Sequence, residues 1–173
     1  MYSKGKLNWP AIQNRRKRCK ANYNEALGKQ IEMELSEERK ELYDEMHWIA
    51  KQVNEAAGKN RLEYVYQEWM AYLLQDYGVR VEVEKQKCIT TEAFEFVCNL
   101  RLDIYIEEQE IIIELKTKQN IKGIEQLKNY MKQLNKNTGF LMQYVKGNVL
   151  MYMIYRENDT YYIYDGEVIY CHE

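Results

Sequence analysis

Residues Arg101–Lys116, RLDIYIEEQEIIIELK, decide how this chain folds. Apolar residues alternate through both halves, which predicts a β-hairpin turning near Glu107–Glu110. Leu102, Ile104, Ile106, Ile111, Ile113 and Leu115 then share one face, suited to burial. The other face carries Arg101, Asp103, Tyr105, Ile112, Glu114 and Lys116. A turn centred between Glu108 and Gln109 sets Asp103 directly across from Glu114, with Lys116 two residues along on the same side. Like charges in that position destabilise a sheet, and one lysine does not balance two carboxylates. A hard divalent cation would satisfy both acids and leave the amine for chemistry. The same alternation also describes the solvated face of an ordinary edge hairpin, with Lys116 bridging the acids weakly. A loop longer than two residues would shift the register.

Outward from the hairpin, the pattern alternates between helix and strand. Residues 28–57 read as helical, with Leu42, Met46, Ile49 and Val53 on one stripe. Ser36 followed by Glu37 and Glu38 offers a helix start inside that region, and Gly58 a stop. A second helix is expected over 61–77, ended by Gly78. Residues 79–90 and 94–106 read as strands, 121–134 as a helix, and 139–145, 149–155 and 161–170 as strand-like runs. Lys146-Gly147-Asn148 and Asp165-Gly166 supply turn chemistry. Helices, three strands, a helix and then further strands make an α/β domain with a mixed sheet.

The 173 residues suit one domain with a real core, and 46% hydrophobic with 30% charged residues are globular values. There is one proline, Pro10, and no Pro/Gly/Ser-rich linker. No apolar run approaches a membrane span, so no membrane partner is expected. Cys19, Cys88, Cys98 and Cys171 show no paired spacing, which points to a reducing, intracellular setting and away from secretion. Cys171-His172 has no partner pair at zinc spacing, and no serine or cysteine has a histidine partner that suggests a nucleophilic triad.

The net charge of −2 hides an asymmetry. Residues 1–20 hold seven basic side chains and no acid, leaving 18 basic against 27 acidic residues in the remainder. A basic arm containing Arg15, Arg16, Lys17 and Arg18 on an acidic body suits contact with a phosphate backbone. A solvated tail or a localisation signal has the same composition.

An acid on the second strand, Glu114-Leu115-Lys116 on the third and a helix next resembles the PD-(D/E)XK nuclease superfamily, the restriction-endonuclease-like fold. Asp103 matches its first acid and Glu114-Leu115-Lys116 its (D/E)XK element. Gln126-Leu127-Lys128-Asn129-Tyr130 matches the QxxxY motif of RecB-like members. Glu63-x-x-Tyr66, in GKNRLEYVYQEWM, looks like the element that names the GxxExxY subgroup. Leu102 stands where the family's namesake proline would be. The likeness spans roughly residues 58–155. It implies a restriction-endonuclease-like core of helix, three-stranded antiparallel meander, helix and further strands. Residues 1–57 would form a basic arm and helical extension, and 58–173 the nuclease-like domain.

The resemblance also implies a chemistry. Asp103, Glu114, the Leu115 carbonyl and Glu63 would hold Mg2+ or Mn2+, and Lys116 would act on the attacking water. Gln126 would orient that water or a carboxylate, and Tyr130 would touch a phosphate. The substrate would be nucleic acid, DNA ahead of RNA, and homo-oligomers are common in this fold. Each role has a structural counterpart. Asn60-x-x-Glu63 can be a helix cap, and Tyr130 and Tyr66 can be core aromatics. Glu82 and Glu84 read as solvent-facing. A catalytically inactive binding module on the same fold is the competing functional reading.

Overall fold

The computed structural model describes residues 26–91 and 94–172. In chain order these form β1 (Lys29–Ile31), α1 (Glu37–Ala57), α2 (Glu63–Asp76), β2 (Val81–Thr91), β3 (Phe94–Ile106) and β4 (Ile111–Lys116). They continue with α3 (Lys122–Gln133), β5 (Thr138–Val145), β6 (Asn148–Glu157), β7 (Thr160–Tyr164) and β8 (Ile169–His172). One eight-stranded mixed sheet runs in the order β1-β8-β7-β6-β5-β4-β3-β2. Among the described strands only β4 and β5 pair in parallel. Parallel neighbours need a crossover, and α3 supplies it.

Helices cover both faces. On one, α1 and α2 pack Met46, Ala50, Val53, Tyr66 and Met70 against Ile104, Ile113, Leu115 and Phe140. On the other, α3 lays Ile124, Leu127 and Met131 over Ile112, Leu141 and Ile154. β4 is therefore buried on both sides, and the expectation of a solvated outer face on the hairpin is corrected. Tyr105 and Ile112, placed on that outer face by alternation, are 6% and 0% exposed. The physical reason is position: β4 lies between β3 and β5 with α3 above it, as an interior parallel-paired strand does.

Two further expectations change. Residues 28–57 are not one helical region: Lys29–Ile31 pairs with Cys171–Ile169 as an edge strand. The helix begins at Glu37, where the Ser36 hydroxyl accepts from the Arg39 amide at 3.4 Å. Leu102 also leaves the face of Ile104 and joins the core under α3. The alternation breaks beside Asp103, opposite Glu84, whose φ is 50°.

α3 sits close to the sheet because glycine lets it. A Cβ on Gly139 would lie 2.9 Å from Leu127 Cδ1, 3.1 Å from Met131 Sδ and 3.2 Å from the Ile112 carbonyl oxygen. The carbonyl belongs to a ladder and cannot yield. Gly139→Ala is expected to cost about 1–3 kcal/mol by overpacking, lowering the midpoint of thermal unfolding by roughly 2–10 °C. An unchanged melting curve would contradict this packing.

Candidate active site

The two hairpin strands part at the acids. Ile104↔Ile113, Tyr105↔Ile112 and Ile106↔Ile111 are paired, so Asp103 and Glu114 stand opposed one step beyond the ladder. There the Asp103 side chain replaces the missing backbone bond, its Oδ2 accepting from the Leu115 amide at 2.8 Å. Gln67 Nε2 donates to the Asp103 carbonyl at 2.9 Å, tying α2 to the same point. Glu63 lies one helical turn before Gln67, so both reach toward β3 and β4.

Lys116 collects these carboxylates. Its Nζ lies 2.5 Å from Glu114 Oε1 and 4.0 Å from Glu63 Oε1. Glu114 is 1% exposed, and its Oε2 is buried with no hydrogen-bond partner among the described residues. Burial and the charge of Asp103 push the Glu114 carboxyl up to about 7 against the pull of Lys116. Asp103 is raised by burial, against the Leu115 amide bond and Lys116. Glu63 is raised by burial and by Asp103, while Lys116 and the Thr117 amide hold it down. Burial lowers the Lys116 ammonium, but Glu114, Glu63 and Asp103 together outweigh burial and leave it raised. Three acids on one ammonium is an unbalanced set.

A profile of the PD-(D/E)XK nuclease superfamily matches residues 40–154. The chain belongs to that superfamily. PD-(D/E)XK proteins usually hydrolyse phosphodiester bonds and generally use divalent metals. A crystal structure of SSO0001 is similar at 21% identity and a TM-score of 0.43, over 70% of this chain. The chain spans 63% of that protein's length. No curated protein matches the chain.

Of the site residues expected in this PD-(D/E)XK domain, the structure gathers Asp103, Glu114, Lys116 and Glu63 at one place, with the Leu115 backbone between the acids. Glu63 is the first residue of α2, and the Leu62 cap makes no side-chain hydrogen bond, so the Asn60 capping alternative falls away. Gln126 and Tyr130 are not joined to the acids. Gln126 Nε2 donates to the Tyr130 hydroxyl at 2.8 Å, and the Tyr130 ring packs at the edge of the core under α3. Tyr66 is a core aromatic: it stacks on Tyr144 with ring centroids 4.3 Å apart and donates to the Gly58 carbonyl at 2.8 Å. Glu84 is exposed and ion-pairs with Arg101. Arg15, Arg16, Lys17 and Arg18 lie outside the described residues.

Gln67 and Gln143 escaped the sequence reading. Gln143 is fully buried beside Lys116 in the β4·β5 register and donates to the Asn120 carbonyl at 3.1 Å, anchoring the loop after Lys116. The spacing of Gln67 from Glu63 could have flagged it. Nothing local marks Gln143, which sits in an apolar strand run.

The donor set fits a hard divalent cation. The orphaned Glu114 oxygen is a ligand without a partner, and the surplus negative charge equals what such an ion carries. Among the described residues no group of three His, Cys, Asp or Glu side chains is placed to hold a metal ion. Mg2+ seldom demands such a group, because it keeps several waters and takes one or two carboxylates.

Proposed function

We propose that this protein is a Mg2+- or Mn2+-dependent nuclease that hydrolyses phosphodiester bonds of nucleic acid, with DNA the favoured substrate. One observation carries the reading: Asp103 and Glu114 stand opposed where two strands separate, Lys116 ion-pairs with Glu114 there, and one buried Glu114 oxygen has no partner among the described residues. Asp103, Glu114 and the Leu115 carbonyl would hold the cation, with Glu63 at the margin. When bound, such an ion offsets charge on the scissile phosphate and acidifies a water.

The chain's own groups do the rest. The Asp103 carboxylate is held rigid by the Leu115 amide, and Gln67 fixes the backbone behind it. Lys116 keeps its proton at Nζ under the pull of three carboxylates, so it serves as a hydrogen-bond donor to a phosphate oxygen or to the attacking water. Gln126 and Tyr130, already bonded to each other, offer a polar pair to the incoming strand. Arg15, Arg16, Lys17 and Arg18 would add sequence-independent backbone contacts.

The test combines calorimetric titration with Mn2+ and cleavage of single- and double-stranded DNA and RNA. Saturable Mn2+ binding and DNA cleavage abolished by EDTA are expected. Absence of both would overturn the proposal.

A further inference from the structure

A second concave site lies on the sheet face that carries α3, between that helix and strands β6, β7 and β8. It encloses about 470 Å3 and is lined by Lys128, Lys132, Arg156, Asp159, Thr160, Tyr161 and His172. Lys128 follows Gln126 by two residues, about 200° around the helix, so this cleft faces away from the Gln126–Tyr130 pair.

The Arg156 cation is held by neutral groups. The Arg156 guanidinium donates through Nε to Asn137 Oδ1 at 3.1 Å and through Nη2 to Asn135 Oδ1 at 2.5 Å. These amides orient it without cancelling its charge. Lys128 Nζ lies 2.9 Å from His172 Nδ1 and 5.2 Å from the centre of the Tyr161 ring. Burial and Lys128 push His172 below its usual value, against Glu125 and the Ala26 backbone, so its ring is a neutral acceptor for the lysine at pH 7. Its Nε2 lies 3.1 Å from Glu125 Oε1 on the far side. Among the described residues no carboxylate pairs with Lys132 or Arg156.

Two features resist a bland account. Lys128 and Lys132 repel one another at i and i+4, a small cost that the C-terminal helix dipole offsets for Lys132 alone. Tyr161 is 7% exposed, and its buried hydroxyl has no hydrogen-bond partner among the described residues. An unpaired buried hydroxyl beside three convergent cations asks for an acceptor with several oxygens.

We propose that this cleft is an anion site for a phosphate ester, held by Lys128, Lys132 and Arg156 with the Tyr161 hydroxyl as an added donor. The ester can belong to a nucleic-acid strand or to a free nucleotide, because both present the same group to these donors.

Calorimetry in EDTA separates the sources and does not depend on cleavage. The probes are inorganic phosphate, a nucleoside 5′-monophosphate and a short single-stranded oligodeoxynucleotide. Saturable binding of at least one ester is expected, weakened about tenfold by Lys132→Ala and by Arg156→Ala, one charge-assisted contact each. Tighter binding of the oligonucleotide assigns the site to a strand, and equal or tighter binding of the monophosphate assigns it to a free nucleotide. Lys132 is exposed on a helix, so its alanine variant folds and keeps the test sound if Arg156→Ala does not. Binding of no ester, or affinity unmoved by Lys132→Ala, would overturn the proposal.

Discussion

Lys116→Met is expected to slow DNA cleavage by about a thousandfold or more while strengthening Mn2+ binding. The amine lies within hydrogen-bond reach of Glu114 and close to Glu63, so under the proposed mechanism it would both repel a cation in that cluster and hold a proton beside the scissile phosphate. Removing a positioned donor of this kind costs about 10²–10³ in rate, and proton-transfer groups add similar factors. The fold should survive. Loss of the ammonium raises the Glu114 carboxyl further, and a protonated acid avoids the penalty of a buried unpaired charge. Asp103→Asn tests the other half. Asparagine still accepts from the Leu115 amide through its carbonyl oxygen, so the strand junction holds while the charge disappears. Cleavage should fall by a comparable factor, and Mn2+ binding should weaken rather than strengthen. These opposite shifts in affinity separate an electrostatic role for the amine from a structural one. Activity within tenfold of the unaltered protein in either variant would remove both residues from the chemistry.

The second large effect is a dependence of stability on pH that centres on Glu114. Its carboxyl is pushed up to about 7 in the fold, from the ordinary 4.5 expected of the unfolded chain. Between those values the unfolded chain loses a proton that the folded protein keeps. Stability of the cation-free protein therefore falls as pH rises from about 4.5 to 7 and levels off above. Each pH unit of that interval is worth about 1.4 kcal/mol, so the upper bound is about 3–4 kcal/mol. For a chain of this size that is a drop of roughly 6–14 °C in the thermal midpoint. Glu114→Gln should remove most of this fall, making the variant more stable than the unaltered protein at pH 8 and equal to it near pH 5. Saturating Mn2+ should reverse the trend, because the ion and the proton compete for the same carboxylate. Its affinity is expected to climb about tenfold per pH unit below 7. Thermal melts at pH 5 and pH 8, with and without Mn2+, decide the matter. A flat profile in the unaltered protein would refute the raised carboxyl.

Alternation of apolar residues was enough to read the hairpin, while its register stayed conditional on a turn centred between Glu108 and Gln109. The observed pairing of Tyr105 with Ile112 places the turn there. Because strand side chains repeat every two residues, that register alone sets Asp103 opposite Glu114 and Lys116 beside them. The Ser36 start of α1 and the order of elements from α1 to β6 were legible for the same reason: caps and periods are local.

What depended on distant segments was not legible. Periodicity cannot tell a strand with one solvated face from one covered on both, so the burial of Ile112 and Glu114 waited on the placement of α3. Lys29–Ile31 became a strand only because β8, some 140 residues later, offered an edge. Gln67 and Gln143 acquired their roles from carbonyls on other elements. The cleft of Lys128, Lys132 and Arg156 likewise joins a helix to three successive strands. By itself the sequence offered Asp103, Glu114 and Lys116 as groups that meet if the turn centres between Glu108 and Gln109, since two strands and one turn then specify that geometry. Only the tertiary structure decided how strongly they are perturbed, because desolvation of Glu114 comes from helices packed above and below the sheet.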